Sequence, residues 1–371
     1  MWDDRALTRR RKLEHVLLSF YESIETGNTM LDQVTLIHQA LPELDPNDID
    51  TRTKFLGREL EAPIMITGMT GGHELAEKIN EKMALAAEMH KIAIGVGSQR
   101  AALEDRRLER TFRVVRERAP SVPVIGNIGV QQLPSEDPVS IAERVVEMIE
   151  ADALAIHLNP AQELFQPEGD ARYHGAVDKI REVARKLKVP VIVKEAGCGI
   201  SFEVAQKLRN AGVNYIDVAG SGGTSWIKIE MLRAIKKGCK ELATAASTFS
   251  HWGIPTAASI IEVKAAHPES YIIGSGGVRS GLDVAKVLRV GANLAGLALP
   301  VLKSALTSIE SIDLYLSKLK RELRAAMFLT GSKDINDLKR KPVVLGVALT
   351  SWLEQRGINW RTVLEARGQA E

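Results

Sequence analysis

From residue 62 onward the chain alternates short apolar runs with longer stretches whose apolar positions recur at helical spacing. The runs cover residues 62–67, 92–96, 123–127, 153–157, 189–194, 215–220, 271–274 and 294–299. They lack the alternation of half-exposed strands and read as parallel strands buried on both faces. The intervening pattern predicts helices over 74–90, 105–118, 137–151, 173–187, 201–211, 226–237, 255–266, 280–290 and 301–328. Eight strand-then-helix units over roughly 250 residues match a (β/α)8 TIM barrel. The competing architecture is an open doubly wound sheet. It needs a glycine fingerprint after the first strand, and Thr67-Gly68-Met69-Thr70-Gly71-Gly72 lacks the GxGxxG spacing.

Residues 1–61 are polar and mixed, apart from a helix-like stretch over 8–24 with Leu13, Val16, Leu17 and Phe20 at helical spacing. The expected organisation is one barrel over 62–330, an N-terminal extension over 1–61 and a C-terminal helical tail over 331–371.

Composition narrows the setting. Hydrophobic residues make up 45% of the 371, enough for a large core. The formal net charge of +2 gives no general reason to bind nucleic acid or an anionic membrane. Cys198 and Cys239 are too few for a disulfide framework. No apolar run approaches the ~20 residues of a membrane span, and the charged N-terminus lacks a signal-peptide core. A cytoplasmic protein is expected.

Chemistry in a barrel sits where the strands end. There the fourth strand delivers His157-Leu158-Asn159-Pro160-Ala161-Gln162-Glu163, with Pro160 expected to stop a helix from starting at once. A turn with capping side chains is the bland reading of this stretch. The other strands deliver Thr67 to Thr70, Gly97 to Arg100, Asn127, Lys194-Glu195, Gly220 to Thr224, Gly274 to Arg279, and Ala298 to Pro300. Gly276 and Gly277 precede a predicted helix, whose free N–H groups favour an anion. Lys194 ends an apolar strand and needs a partner: Glu195, a neighbouring carboxylate or an electron-rich cofactor. Trp226 reads as core or as pocket wall, and Asp283 suits the first turn of its helix. The basic run Arg9 to Lys12, followed by His15, reads either as a solvated helix start or as a phosphate clamp. No His/Cys cluster has zinc spacing. Glu163, if it binds metal, suits Mg2+ completed by waters and phosphate oxygens.

Four motifs in order, Thr67 to Gly72, Gly95 to Arg100, His157 to Glu163 and Gly274 to Arg279, together with Arg11-Lys12-x-x-His15, resemble the FMN-dependent type 2 isopentenyl-diphosphate isomerases, most closely the archaeal members. The resemblance covers nearly the whole chain. It implies FMN, Mg2+, NADPH or another reductant for the flavin, and a homo-oligomer, a tetramer or octamer. It implies interconversion of isopentenyl and dimethylallyl diphosphate, a small-molecule substrate. By position, Thr67, Gly68, Met69, Thr70, Ser98, Asn127 and Lys194 would surround the flavin. Thr224, Gly277, Val278, Arg279, Ala298 and Leu299 would hold its ribityl phosphate end. Arg11, Lys12, Ser98, Gln99, Arg100, His157 and Gln162 would contact substrate, and Glu163 would ligate Mg2+. Glu230 is implied as a proton relay near the flavin. Among the catalytic candidates His157, Gln162 and Glu230, His157 would hold the diphosphate end. Gln162 would position substrate, because an amide titrates poorly. A position that often carries serine in the family is Ala219 here, which puts one phosphate contact in doubt.

The runner-up is an FMN-dependent oxidoreductase of the hydroxy-acid oxidase type, which needs a base near the sixth strand end. Residues 220–226 contain no His, and neither cysteine lies in that loop to serve as the nucleophile of a nucleotide dehydrogenase. A non-catalytic phosphate- or flavin-binding protein would not need Arg100, His157, Gln162 and Glu163 together.

Overall fold

A computed structural model describes residues 4–365, with side chains from residue 10 onward. The Arg9 side chain in the basic run and residues 366–371 of the expected tail lie outside that description. Eight parallel strands close into a barrel. In chain order they are β1 Ile64–Ile66, β2 Ala93–Gly95, β3 Val124–Gly129, β4 Ala153–His157, β5 Val191–Lys194, β6 Tyr215–Asp217, β7 Tyr271–Ser275 and β8 Leu294–Leu297. Each pairs with its sequence neighbour, and β8 closes on β1 through Ala295 opposite Ile64. The helices pack outside, so the strands are buried on both faces, as their unbroken apolar runs require.

The bottom of the barrel is plugged by a hairpin, Thr53–Phe55 paired with Arg58–Leu60, which the hydrophobic pattern does not predict. Phe55 and Leu60 enter the apolar interior beside Met65, Ile125 and Ile273. The Phe55 ring lies 5.1 Å from that of Tyr271 and 6.2 Å from that of Tyr215. The two-residue turn has Leu56 at φ 50° and Gly57 at φ 77°, the left-handed pair of a type I′ turn. Leucine is a poor signal for that conformation, which hides the hairpin from sequence reading.

The extension and the tail meet. Val34–Leu36 pairs antiparallel with Val343–Leu345. The N-terminal helix, Asp4–Tyr21, packs against the helices Trp226–Lys236, Arg100–Glu104 and Leu299–Thr307, over the C-terminal mouth of the barrel.

Several boundaries differ from expectation. The helix expected over 105–118 is two pieces, a 3-10 turn Arg106–Leu108, where the Asp105 side chain caps the amide of Arg107, and Arg110–Arg118, and a further short helix, Arg100–Glu104, precedes them. The helix expected over 301–328 breaks at Ser308, which is extended and caps Ser311. An additional helix, Lys240–Thr248, lies in the sixth unit. Pro160 does not delay a helix. It occupies the first position of a short one, Pro160–Phe165, where its missing N–H costs nothing.

Candidate active site

The strand ends and the N-terminal helix enclose one large cavity at the mouth of the barrel. The helix contributes Arg11, Lys12, His15, Val16 and Ser19, which recur at helical spacing and so share one face. Lys12 Nζ donates to the carbonyl of Ser98 at 2.5 Å and lies 5.2 Å from the centre of the Phe112 ring. Arg100 pairs with Glu104 at 2.7 Å and also lines the cavity. Burial, aided by the neighbouring Arg11 and Arg100 charges, brings the Lys12 ammonium down to about 7. Burial and Arg100 likewise push the Arg11 value down. Three cations crowded into a half-buried wall repel one another, a cost that an arriving anion removes.

At the end of β4, His157 Nδ1 lies 2.8 Å from Asn127 Oδ1. Asn127 is held in turn by its amide, which donates to Val96 O at 3.0 Å. Burial first, then Lys194 and Lys12, lower the His157 value to about 3, so the imidazole is neutral in the free protein.

Gln162 and Glu163 follow on the short helix. Asn159 Nδ2 donates to Gln162 Oε1 and to Glu163 Oε1, both at 3.0 Å. Glu163 Oε2 accepts from the Asp170 amide at 2.8 Å. The Glu163 carboxylate lines the cavity and would suit Mg2+ as a single protein ligand, with waters and substrate oxygens completing the shell. Among the described residues no group of three His, Cys, Asp or Glu side chains converges as a ready-made metal site.

Glu230 sits behind this wall rather than on it, fully buried. It accepts from His15 Nε2 at 2.8 Å, from Arg233 Nη1 at 2.6 Å and from Gln162 Nε2 at 3.3 Å. Burial alone would raise its carboxyl, but His15 and Arg233 outweigh that and hold it near 2. Arg233 also binds Glu14 at 3.0 Å and Glu168 at 2.5 Å, joining the N-terminal helix to the barrel. Trp226 is both core and pocket wall. It packs on Ile229 and presents its ring to His15 at 5.0 Å.

The opposite side of the cavity is backbone. Gly220, Thr224, Gly276, Gly277, Arg279, Ala298 and Leu299 line it. Gly276 has φ 103°, and a Cβ there would come 2.2 Å from Gly220 O, so only glycine fits. The expected anion site at the helix Gly281–Arg289 is already filled from within. Asp283 accepts from the amides of Arg279 and Ser280, and Glu322 accepts from the amide of Gly281. The next helix, Leu299–Thr307, begins at Ala298 with no side-chain cap and faces the cavity, which suits a phosphate better. Ala219 lines the same end at φ 38° and brings no hydroxyl. Lys194, with Asn127, Met69, Thr67, Gly68, Thr70 and Ser98, lines the deeper part. Its Nζ donates to Glu195 O at 2.6 Å, whereas the Glu195 carboxylate turns back onto the amides of Ala196 and Cys198. A planar ring with a phosphate tail fits this division into a deep polar pocket and a glycine-lined end.

Eighteen of the expected site residues thus share one cavity, while Gln99, Val278 and Glu230 do not line it. Gln99 is fully buried; its amide donates to Val145 O at 2.9 Å and its carbonyl accepts from Asn127 N. It supports the third strand instead of touching substrate. Val278 is buried core. Asn159 and Gln132 line the cavity without having been assigned a role, and His15, read only together with the basic run, lines it too. The spacing of His15 from Arg11 was the available signal.

Fold and site together define a barrel enzyme of the flavin-binding class. Residues 140–345 match the family model described as FMN-dependent dehydrogenase. Solved structures of similar fold include a mandelate oxidase with (S)-2-phenylpropionate (18% identity, 92% of this chain and 98% of that one, TM-score 0.62) and a lactate oxidase, described as putative, from Pediococcus acidilactici (17%, 92% and 94%, TM-score 0.65). Curated relatives called isopentenyl-diphosphate delta-isomerase align far more closely. That of Sulfurisphaera tokodaii is 47% identical over 94% of this chain and 95% of its own length, and that of Metallosphaera sedula 48% over the same shares. The chain belongs to the isopentenyl-diphosphate delta-isomerase family. Among the described residues no helix is long and apolar enough to cross a membrane.

Proposed function

We propose that the chain interconverts isopentenyl and dimethylallyl diphosphate, with FMN in the deep pocket and Mg2+ on Glu163. The observation that carries this reading is the mutually repelling trio Arg11, Lys12 and Arg100 on the cavity wall. Such a cluster suits a compact polyanion, and it lies apart from the glycine-lined end that suits the cofactor phosphate. One cavity therefore offers two anion receptors, one for each ligand.

The substrate's reacting end is hydrocarbon, so the protein must grip it by the diphosphate. Arg11, Lys12 and Arg100 supply that grip, and Glu163 brings the metal to the same oxygens. His157, neutral before binding, takes up a proton when a phosphate oxygen reaches its Nε2. Gln162, tied to Asn159 and Glu230, orients the chain of the substrate. The N-terminal helix covers the mouth and excludes water from the alkene. Bound, reduced FMN would supply the acid and the base of the 1,3-proton shift, which has no net redox, with NADPH or another reductant maintaining the reduced flavin. Glu230 and His15 form the polar path behind Gln162 by which a proton could leave.

The test is proton exchange into isopentenyl diphosphate in deuterated buffer, with flavin reduced and Mg2+ supplied. Deuterium in dimethylallyl diphosphate is expected. Oxidation of a hydroxy acid without isomerisation would sink the reading in favour of an oxidase. Glu163→Gln should raise the Mg2+ concentration needed for half-maximal rate, and an unchanged Mg2+ dependence would remove the metal assignment.

A further inference from the structure

We propose that Glu25 competes with the cofactor phosphate for Arg279, and thereby sets how tightly and how selectively a phosphorylated flavin is held. The inference rests on the FMN reading above.

Residues 24–29 form a strap across the glycine loops. The Thr26 amide donates to Gly223 O at 3.1 Å, and the Ser225 amide donates to Ile24 O at 2.8 Å. Thr26 Oγ1 donates to Ser250 O at 2.5 Å. A Cβ on Gly222 would stand 2.3 Å from Thr29 N, so strap and loop touch backbone to backbone. Glu25, bridged to Thr224 within this contact, is therefore presented at a fixed place.

Arg279 faces it from the seventh loop. Its Nε donates to Glu25 Oε1 at 2.9 Å, its Nη2 donates to the same oxygen, and its Nη1 donates to Val278 O at 2.8 Å. These bonds use three of the five guanidinium N–H groups, leaving one each on Nη1 and Nη2. The same side chain lines the cavity beside Gly276 and Gly277, where the phosphate of the flavin would lie. A phosphate that draws on Arg279 must therefore share a guanidinium already paired with a carboxylate and sit near that carboxylate. The pair is partly exposed, Arg279 by 32% and Glu25 by 45%, so solvent keeps the competition modest. Removing the carboxylate frees the arginine fork and removes a like charge, and both changes favour a phosphate near −2. A flavin without phosphate is indifferent to either.

The experiment titrates the full chain, stripped of flavin, with FMN and separately with riboflavin, following the quenching of flavin fluorescence. Glu25→Gln should tighten FMN by roughly two- to five-fold and leave riboflavin unchanged; the riboflavin titration doubles as a control for folding. The gain should shrink at high salt and in an Arg279→Gln background. Unchanged or weakened FMN binding, or an equal shift for riboflavin, would overturn the proposal and leave Glu25 a packing residue of the strap. A native chain that binds neither flavin would instead overturn the FMN reading itself.

Discussion

Asn127 presents its side-chain oxygen to His157 Nδ1 at 2.8 Å, because its amide nitrogen is spent on Val96 O. That orientation places the imidazole proton on Nδ1 and leaves Nε2 as a lone pair. With the value lowered to about 3 by burial, then by Lys194 and Lys12, His157 stays neutral through the physiological range. Asn127→Asp would replace the amide with a charge that favours imidazolium. The His157 value should rise by more than one unit, a change read from the ring resonances in a pH series by NMR; an unmoved titration would disprove the linkage.

Lys12 has its value lowered to about 7, so the charged form is complete below that pH and is lost above it. Since kcat/KM reports the free enzyme, it should fall as pH rises through about 7. Lys12→Met should remove that limb and lower kcat/KM by roughly 10- to 100-fold, the worth of a charged hydrogen bond. A pH profile of kcat/KM for both proteins settles it. Retention of the same limb in the variant would assign it to another group, such as Glu195, which burial raises to about 7.

Glu230 is held near 2, below its ordinary 4.5. Its contribution to stability is therefore fully present above about 4.5 and is lost as pH falls towards 2. Glu230→Gln leaves Arg233 buried with only Glu14 and Glu168, at a cost of about 3 kcal/mol. Denaturant unfolding at neutral pH should show that loss. The difference between variant and parent should narrow under acid, and a constant difference would contradict the assignment.

Phe55 fills the base of the barrel between Tyr215 and Tyr271. Phe55→Ala should lower stability by about 3–5 kcal/mol while leaving KM unaltered, because the plug is at the end of the barrel opposite the mouth. Thermal unfolding and steady-state kinetics on the same preparation separate the two effects.

How far the fold could be read from the chain follows from what each element depends on. The barrel was legible because parallel strands bury both faces and so appear as unbroken apolar runs. The plug was not, since its type I′ turn uses Leu56 where asparagine or glycine would have announced it. The site was legible at strand ends, where Asn127, His157 and Lys194 interrupt apolar runs. Gln99 misled because a strand-end amide looks alike whether it faces a cavity or the strand behind. The start of the helix Gly281–Arg289 misled for a related reason: Glu322, the residue that occupies the Gly281 amide, lies 41 positions away. Capping partners at that distance leave no local trace.

The pairing of Val34–Leu36 with Val343–Leu345 joins positions more than three hundred residues apart. A ribosome releases the first of these strands long before it makes the second. Until then Val34–Leu36 has no strand edge to join, and loop closure over that span is slow. The basic helix that roofs the mouth is carried on this same segment. That helix docks on Trp226–Lys236, Arg100–Glu104 and Leu299–Thr307, so its own partners are all made before the tail strand is. Residues 343–345 then supply the partner of Val34–Leu36, so this pairing is among the later contacts that the leading segment makes.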